Sequence, residues 1–142
     1  MIVFDANLLI YAYDGGSTYH TKARAWVEDT FSGGDAIGLP WHAITAFLRI
    51  MTNRRLPGVR FTVEQASQIV DRWLMQPNVR PLVPGEHHWP LLRNMLIEGH
   101  ASGSLANDAQ IAALTIEYGG VLHTADRDFA RFPGLRWTNP LT

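Results

Sequence analysis

The sequence predicts an α/β fold, a three-layer α/β/α arrangement with a central parallel sheet of four to five strands. Two observations predict it. Short apolar runs of strand length alternate along the chain with longer segments whose apolar residues recur at helical spacing. Each strand-length run is followed by a helical segment, which is the connection that parallel strands require. Helices then cover both faces of the sheet, and the carboxyl ends of its strands share one edge.

The first half of the chain supplies two strands and three helices. The run MIVF is a buried strand, and residues 6–13 continue as a short helix. A second helix begins at Thr18 or His20 and continues through TKARAWVEDTF until SGGD ends it. Its apolar face consists of Ala23, Trp26, Val27 and Phe31. The run AIGL is a second strand that stops at Pro40, and WHAITAFLRIMTN follows as an amphipathic helix.

The second half continues the alternation. Thr62 is a plausible cap for the helix TVEQASQIVDRWLM, and VRPLV is a third short strand. The segment EHHWPLLRNMLIEGH is helical, with Pro90 tolerated in its first turn. After the loop ASGS, LANDAQIAALTIEYGG forms a helix that ends at its paired glycines. The run VLHTAD is the fourth strand with its exit, and PGLRW is a candidate fifth strand.

Composition narrows the class of protein. The 142 residues, 46% apolar and 18% charged, indicate a globular chain, and we expect one domain over residues 1–142. There is no cysteine, which excludes disulfides and thiolate metal sites. No apolar run is long enough to span a bilayer, and the strand pattern begins at residue 1, which leaves no room for a signal peptide. We therefore expect a cytoplasmic protein with no membrane partner.

Basic residues concentrate in one region although the net charge is only −1. Arg49, Arg54, Arg55 and Arg60 lie within twelve residues, and no acid occurs between Asp35 and Glu64. Arginine favours bidentate binding of phosphates. These four residues are predicted to bind RNA phosphates if the protein acts on RNA, and the alternative is a solvated surface.

Acidic residues are predicted to converge at the edge of the sheet. Asp5 ends the first strand, Asp126 ends the fourth, and Asp108 lies in the first turn of a helix. Carboxylates gathered in this way repel one another, and Mg²⁺ or Mn²⁺ would relieve the repulsion. Asn7, Thr124 and Asp128 are candidates for orienting the ligands. Taken singly, Asp108 could serve the helix dipole, and Asp126 and Asp128 could serve as turn or cap residues.

The histidines do not indicate a metal site. No pair of histidines has zinc-ligand spacing. His87 and His88 are interpreted as surface or capping groups at the start of a helix, and His123 as a core or edge histidine on the fourth strand.

Three segments together resemble PIN-domain ribonucleases of the VapC toxin type. They are IVFDANLLIYAYD, LPWHAITAFLRIMTN and NDAQIAALTIEYGGVLHTADRDFARFPGLRW, which cover nearly the whole chain in the right order. The resemblance implies a PIN-like fold and a metal-dependent endoribonuclease toxin. It also implies a homodimer and a cognate VapB-type antitoxin. By matched position it implies that Asp5, Asp108 and Asp126 are the catalytic and metal-binding acids, with Asp128 beside them.

One position departs from the resemblance. Many members carry a glutamate just before the F-L-R of the third helix, where this chain has Ala46. The alternative function is therefore a catalytically weakened PIN-fold module that binds RNA or a partner. Two other classes fit less well. A receiver-like signalling domain needs a late lysine, and the only lysine is Lys22, while a small-molecule phosphohydrolase lacks a glycine-rich phosphate loop here.

Overall fold

A five-stranded parallel sheet lies between two layers of helices in the computed structural model, which describes residues 1–58 and 60–142. Over these residues the strands are β1 (Ile2–Phe4), β2 (Ile37–Pro40), β3 (Val79–Leu82), β4 (Val121–His123) and β5 (Trp137–Thr138). The helices are α1 (Ala6–Tyr13), α2 (His20–Ser32), α3 (Trp41–Met51), α4 (Val63–Met75), α5 (His88–Glu98) and α6 (Leu105–Glu117). The predicted three-layer fold is confirmed.

The order of the strands creates a crevice at the centre of the sheet. The order is β3-β2-β1-β4-β5, and every neighbouring pair is parallel. From β1 the chain first builds the sheet towards β2 and β3, then returns to place β4 on the other side of β1. In open parallel sheets, ligands bind outside the carboxyl ends of the strands where the order reverses. Asp5 follows β1 and Asp126 lies three residues beyond β4, so both acids lie at this crevice.

Successive side chains of a strand point to opposite faces of the sheet, so the hydrophobic core has one part on each face. Phe4 packs with the apolar faces of α1 to α4, whereas its neighbour Val3 packs with α5 and α6. Gly38 of β2 points the same way as Val3, and a Cβ atom there would lie 2.7 Å from Leu82 Cδ1. Any side chain at residue 38 would therefore displace part of the second core.

Several details differ from the sequence-based expectations. Helix α5 begins at His88 rather than residue 86, and Pro40 is the last residue of β2. His88 is not a surface group: its side chain is 12% exposed, and its Nδ1 lies 3.7 Å from Glu117 Oε2. Packing of α5 on α6 buries it, which the spacing of apolar residues could not indicate. The interpretation of His123 is confirmed, because its ring stacks on Trp26 with centroids 5.3 Å apart.

The cap predicted at the start of α4 is confirmed. Thr62 accepts a hydrogen bond from the backbone of Gln65, and the Gln65 side chain accepts one from the backbone of Thr62. These two reciprocal hydrogen bonds satisfy two backbone N–H groups that have no acceptor within the helix. Across the residues that the structure describes, no helix is long and apolar enough to cross a membrane.

Candidate active site

The carboxylate of Asp5 is buried and fixed on both sides at the carboxyl end of β1. Its Oδ1 accepts a hydrogen bond from the Ala6 amide at 2.7 Å, so it caps α1. Its Oδ2 accepts one from the Thr124 hydroxyl, also at 2.7 Å. Burial raises the pKa of Asp5, the two hydrogen bonds oppose that rise, and the charge of Asp126 adds to it. The result is an immobile carboxylate whose negative charge is unfavourable unless a cation is close.

The hydroxyl of Thr124 joins the two strands that border the crevice. It donates to Asp5 and accepts hydrogen bonds from Asn7 Nδ2 at 3.3 Å and from the Asp126 amide at 3.0 Å. The side chain is fully buried, and these three contacts use the whole bonding capacity of a hydroxyl. Asn7 also accepts from the Ala125 amide at 3.5 Å. Residues 5 and 126, far apart in sequence, are thus held by one atom.

Asp126 and Asp128 begin a short 3-10 helix, Arg127–Arg131, which the sequence did not predict. Asp126 Oδ1 accepts a hydrogen bond from the Asp128 amide at 2.9 Å, so Asp126 is the cap residue of this turn. Phe129 is fully buried in the core beside α6 and anchors the turn. Asp126 can therefore cap this turn and also belong to the site, because the cap uses only one of its two carboxylate oxygens.

Asp108 extends the acid cluster from the opposite helix layer. It lies in the first turn of α6, and its pKa is raised to about 6. Burial is the largest cause, followed by the charges of Asp5, Asp126 and Asp128, while Arg131 opposes the rise. Among the described residues the Asp108 carboxylate makes no hydrogen bond or ion pair. The four predicted acids therefore form one electrostatically coupled group.

The cluster suits a hydrated divalent cation better than a fully coordinated one. Among residues 1–58 and 60–142, no three acidic or histidine side chains stand ready to hold a metal ion. Mg²⁺ keeps several waters and needs only one or two direct carboxylates. A donor set made only of carboxylates fits such an ion, since burial, and with it the charges of the neighbouring acids, raises the pKa of Asp5 and Asp108.

Comparison with known proteins identifies the family. The model of the PIN domain matches residues 2–135. Ribonuclease VapC33 of Mycobacterium tuberculosis is 41% identical over 141 residues, which cover 99% of each chain. The chain belongs to the VapC ribonucleases of the PIN-domain family. The VapC ribonuclease Mb2897 of Mycobacterium bovis is 36% identical and covers 99% of this chain and 96% of its own length.

Solved structures of VapC proteins share the fold at low sequence identity. The VapBC-1 structure from nontypeable Haemophilus influenzae aligns with a TM-score of 0.70 at 20% identity and covers all of both chains. VapC20 of Mycobacterium tuberculosis, a toxin that cleaves the sarcin-ricin loop, aligns with a TM-score of 0.67 at 18% identity. It covers 96% of this chain and 99% of its own. At this identity the structures show the shared VapC fold alone.

A cavity of about 530 Å³ opens beside Ala46. It is lined by His42, Thr45, Ala46 and Arg49 from one face of α3 and by Asn107 from α6. Asn107 directly precedes Asp108, so the cavity borders the acid cluster. Burial and the charge of Arg49 lower the pKa of His42, which is therefore neutral near pH 7. In place of a carboxylate, the site presents a guanidinium, an imidazole, a hydroxyl and an amide.

The four clustered arginines do not form one surface. Arg49 lines the cavity just described, whereas Arg54 and Arg55 are exposed in the turn after α3. A Cβ atom on Gly58 would lie 3.4 Å from Arg60 Nη1 and 3.3 Å from Asp14 Oδ1, which places Arg60 at the end of α1 away from Asp5. Of the four, only Arg49 lines the cavity that includes Asn107, the neighbour of Asp108 in sequence. A role in RNA binding remains a prediction for all four.

Proposed function

We propose that this chain is a metal-dependent endoribonuclease that acts as the toxin of a VapBC-type pair. The observation that carries the proposal is the Thr124 hydroxyl, which holds Asp5 and Asp126 at the crevice, with Asp108 coupled to both. Membership of the VapC ribonucleases supports RNA as the substrate. The alternative, a weakened binding module, rests on Ala46 alone.

Asp5, Asp108 and Asp126 would hold Mg²⁺ or Mn²⁺, one or two of them directly and the rest through water that the ion retains. When bound, such an ion stabilises negative charge on a phosphate and lowers the pKa of water. In the reaction, a water oxygen would bond to phosphorus, the bond from phosphorus to the leaving 3′ oxygen would break, a carboxylate would accept one proton of the water, and the leaving oxygen would take a proton from solvent. Asp108 is the best placed acceptor, because its carboxylate is not hydrogen-bonded within the described residues.

Residues next to the acids would hold the RNA backbone. Arg49 and Asn107 line the cavity beside Asp108, where a phosphate next to the scissile one would enter. Contacts of this kind position a strand without reading its sequence. Arg54, Arg55 and Arg60 would act further along the strand. Asp128 and Asn7 would orient Asp126 and Thr124 rather than touch the substrate.

Metal dependence is tested by cleavage of single-stranded RNA with and without chelator. We expect cleavage with Mg²⁺ or Mn²⁺, complete loss with excess chelator, and recovery when metal is restored. Cleavage should persist when the 2′-hydroxyl at the cut position is replaced by hydrogen, since water is the nucleophile. Activity that survives the chelator would refute the metal mechanism. Metal binding with no cleavage of any RNA would favour the binding module.

An antitoxin would inhibit by satisfying the same acids. A guanidinium on its C-terminal tail would replace the cation in the cluster. An apolar segment of the tail would fill the groove of about 250 Å³ between α1, α2 and α4, which is lined by Tyr13, Phe31 and Trp73 among others. The solved VapBC complexes with this fold support a VapB-type partner. We also propose a homodimer in the cytoplasm, and light scattering on the purified toxin measures its mass.

Competition between metal and antitoxin is the expected signature of that inhibition. A peptide copied from the tail should bind more weakly as Mn²⁺ rises, because arginine and metal need the same oxygens. Asp126→Asn should weaken the peptide by ~1–3 kcal/mol if that contact is buried. Isothermal titration at two metal concentrations measures both effects. Equal affinities in all four titrations would place inhibition outside the acid site.

A further inference from the structure

A second cavity borders the acid cluster on the side away from Ala46. It has a volume of about 230 Å³, and its walls include Tyr11, Tyr19, Ala125, Arg127 and Asn139. Ala125 and Arg127 flank Asp126 in sequence. Residues 125–127 follow β4 and residue 139 follows β5, whereas the Ala46 cavity follows β2. With the strands ordered β2-β1-β4-β5, the acids at β1 and β4 lie between the two cavities.

Two tyrosine rings form one wall of this cavity. The ring centroids of Tyr11 and Tyr19 lie 5.1 Å apart, with planes inclined by 40°. The backbone carbonyl of Tyr11 lies 2.9 Å from Nδ1 of His20, a contact that ties α1 to the start of α2 beside the cavity. Tyr19 precedes α2 and is 50% exposed, so its ring is open to solvent. An exposed aromatic face beside a half-buried one is a surface on which a flat ring can stack.

Polar groups at the rim of the cavity are held in place and still have unused hydrogen-bond donors. Asn139 Oδ1 accepts a hydrogen bond from the Leu141 amide at 2.9 Å, and Leu141 is buried in the core. The NH₂ of Asn139 has no protein acceptor within the described residues. Arg127 is exposed and forms no ion pair with them either. The rim therefore offers an amide donor and a free guanidinium above the aromatic wall.

Burial and the neighbouring acids keep Tyr11 protonated at neutral pH. Burial raises its pKa most, and electrostatic interaction with Tyr19, Asp5 and Asp126 raises it further. Its hydroxyl is therefore a hydrogen-bond donor at neutral pH. The electrostatic coupling also shows how near this ring lies to the acids.

We propose that this Tyr11–Tyr19 pocket binds one nucleobase of the RNA, next to the phosphate that is cut. Proteins recognise single-stranded RNA by stacking unpaired bases on aromatic rings and by bonding to the base edges. The two tyrosines supply the stacking surface, and Asn139 supplies an edge contact. A strand with a base here and a phosphate beside Arg49 would lie across Asp5 and Asp126. The inference rests on the proposed function for its substrate.

The test compares RNA with and without bases. The probes are a fluorescein-labelled single-stranded RNA octamer of mixed sequence and an abasic ribose-phosphate octamer of equal charge. Anisotropy titration in chelator, where no cleavage occurs, gives the two dissociation constants. We expect wild type to prefer the octamer with bases by about tenfold, as stacking of one base predicts. Tyr19→Ala should lower that preference to about twofold or less, and Tyr19→Trp should restore it.

The matched control removes another exposed aromatic ring. Trp89 of α5 is 61% exposed and adjoins His88, which packs beside Glu117 at the far end of α6 from Asp108. Trp89→Ala should leave the preference unchanged, and thermal melts should show that every variant folds. If wild type and Tyr19→Ala prefer the octamer with bases to the same extent, the proposed binding of a base in this pocket is wrong. A preference that depends on Tyr19 in a protein that cuts no RNA would retain the pocket and refute the proposed cleavage.

Discussion

Replacement of Asp108 by asparagine should abolish metal-dependent RNA cleavage and leave the protein folded. Asparagine has nearly the same shape, but it removes a metal ligand and the proposed proton acceptor. We expect the rate to fall by at least a factor on the order of 10²–10³, the usual loss for one electrostatic group at a reaction centre. The measurement is initial cleavage rate with saturating Mn²⁺. Asp71→Asn, on the exposed face of α4, is the matched control and should retain the full rate.

The same variant should change how stability depends on pH. The pKa of Asp108 in the folded protein is about 6, above its ordinary 3.8, so protonation favours the folded state. That stabilisation is complete below pH 3.8 and is lost as pH rises through 6. Without metal, the melting temperature of Asp108→Asn relative to wild type should therefore increase between pH 5 and pH 7.5. A constant difference would mean that the pKa of Asp108 is not raised in the folded protein.

Replacement of Ala46 by glutamate should tighten metal binding by roughly tenfold, because the number of charged ligands sets the affinity of such sites. Ala46 lines the cavity that adjoins Asp108 through Asn107, which leaves room for the longer side chain. Calorimetric titration with Mn²⁺ gives the affinity. Ala46→Gln, of the same size without the charge, is the matched control and should resemble wild type. If glutamate changes nothing, residue 46 does not face the metal.

The order of the helices and strands could be predicted from the sequence because it depends on local patterns of residues. Thr62 caps helix α4 as expected, since a capping box is encoded within four residues. Asp5 and Asp126 were expected at one edge because each follows an apolar run, and parallel strands share that edge. The failures come from contacts between distant segments. His88 was expected at the surface, and only the packing of α5 on α6 buries it beside Glu117.

The finer geometry of the candidate site could not be predicted for the same reason. The sequence indicated Thr124 as a supporting residue, but not that one hydroxyl would join Asp5, Asn7 and Asp126. Nor did it indicate Tyr11, Tyr19 or Asn139, which come together from α1, the start of α2 and the segment after β5. No spacing rule connects residues 11 and 139. The aromatic content of YAYD was the only available signal, and tyrosines there suit a core equally well.

The hydrogen bond from Thr124 to Asp5 has a consequence for synthesis of the protein. It spans 119 residues, so the first acid is made at the start of translation and its partner near the end. At about 5–20 residues per second, several seconds separate the two. Until β4 emerges and pairs with β1, a nascent chain has neither Thr124 nor Asp126 and no acid cluster. A chain that ends before residue 124 therefore cannot assemble the cluster on which the proposed cleavage depends.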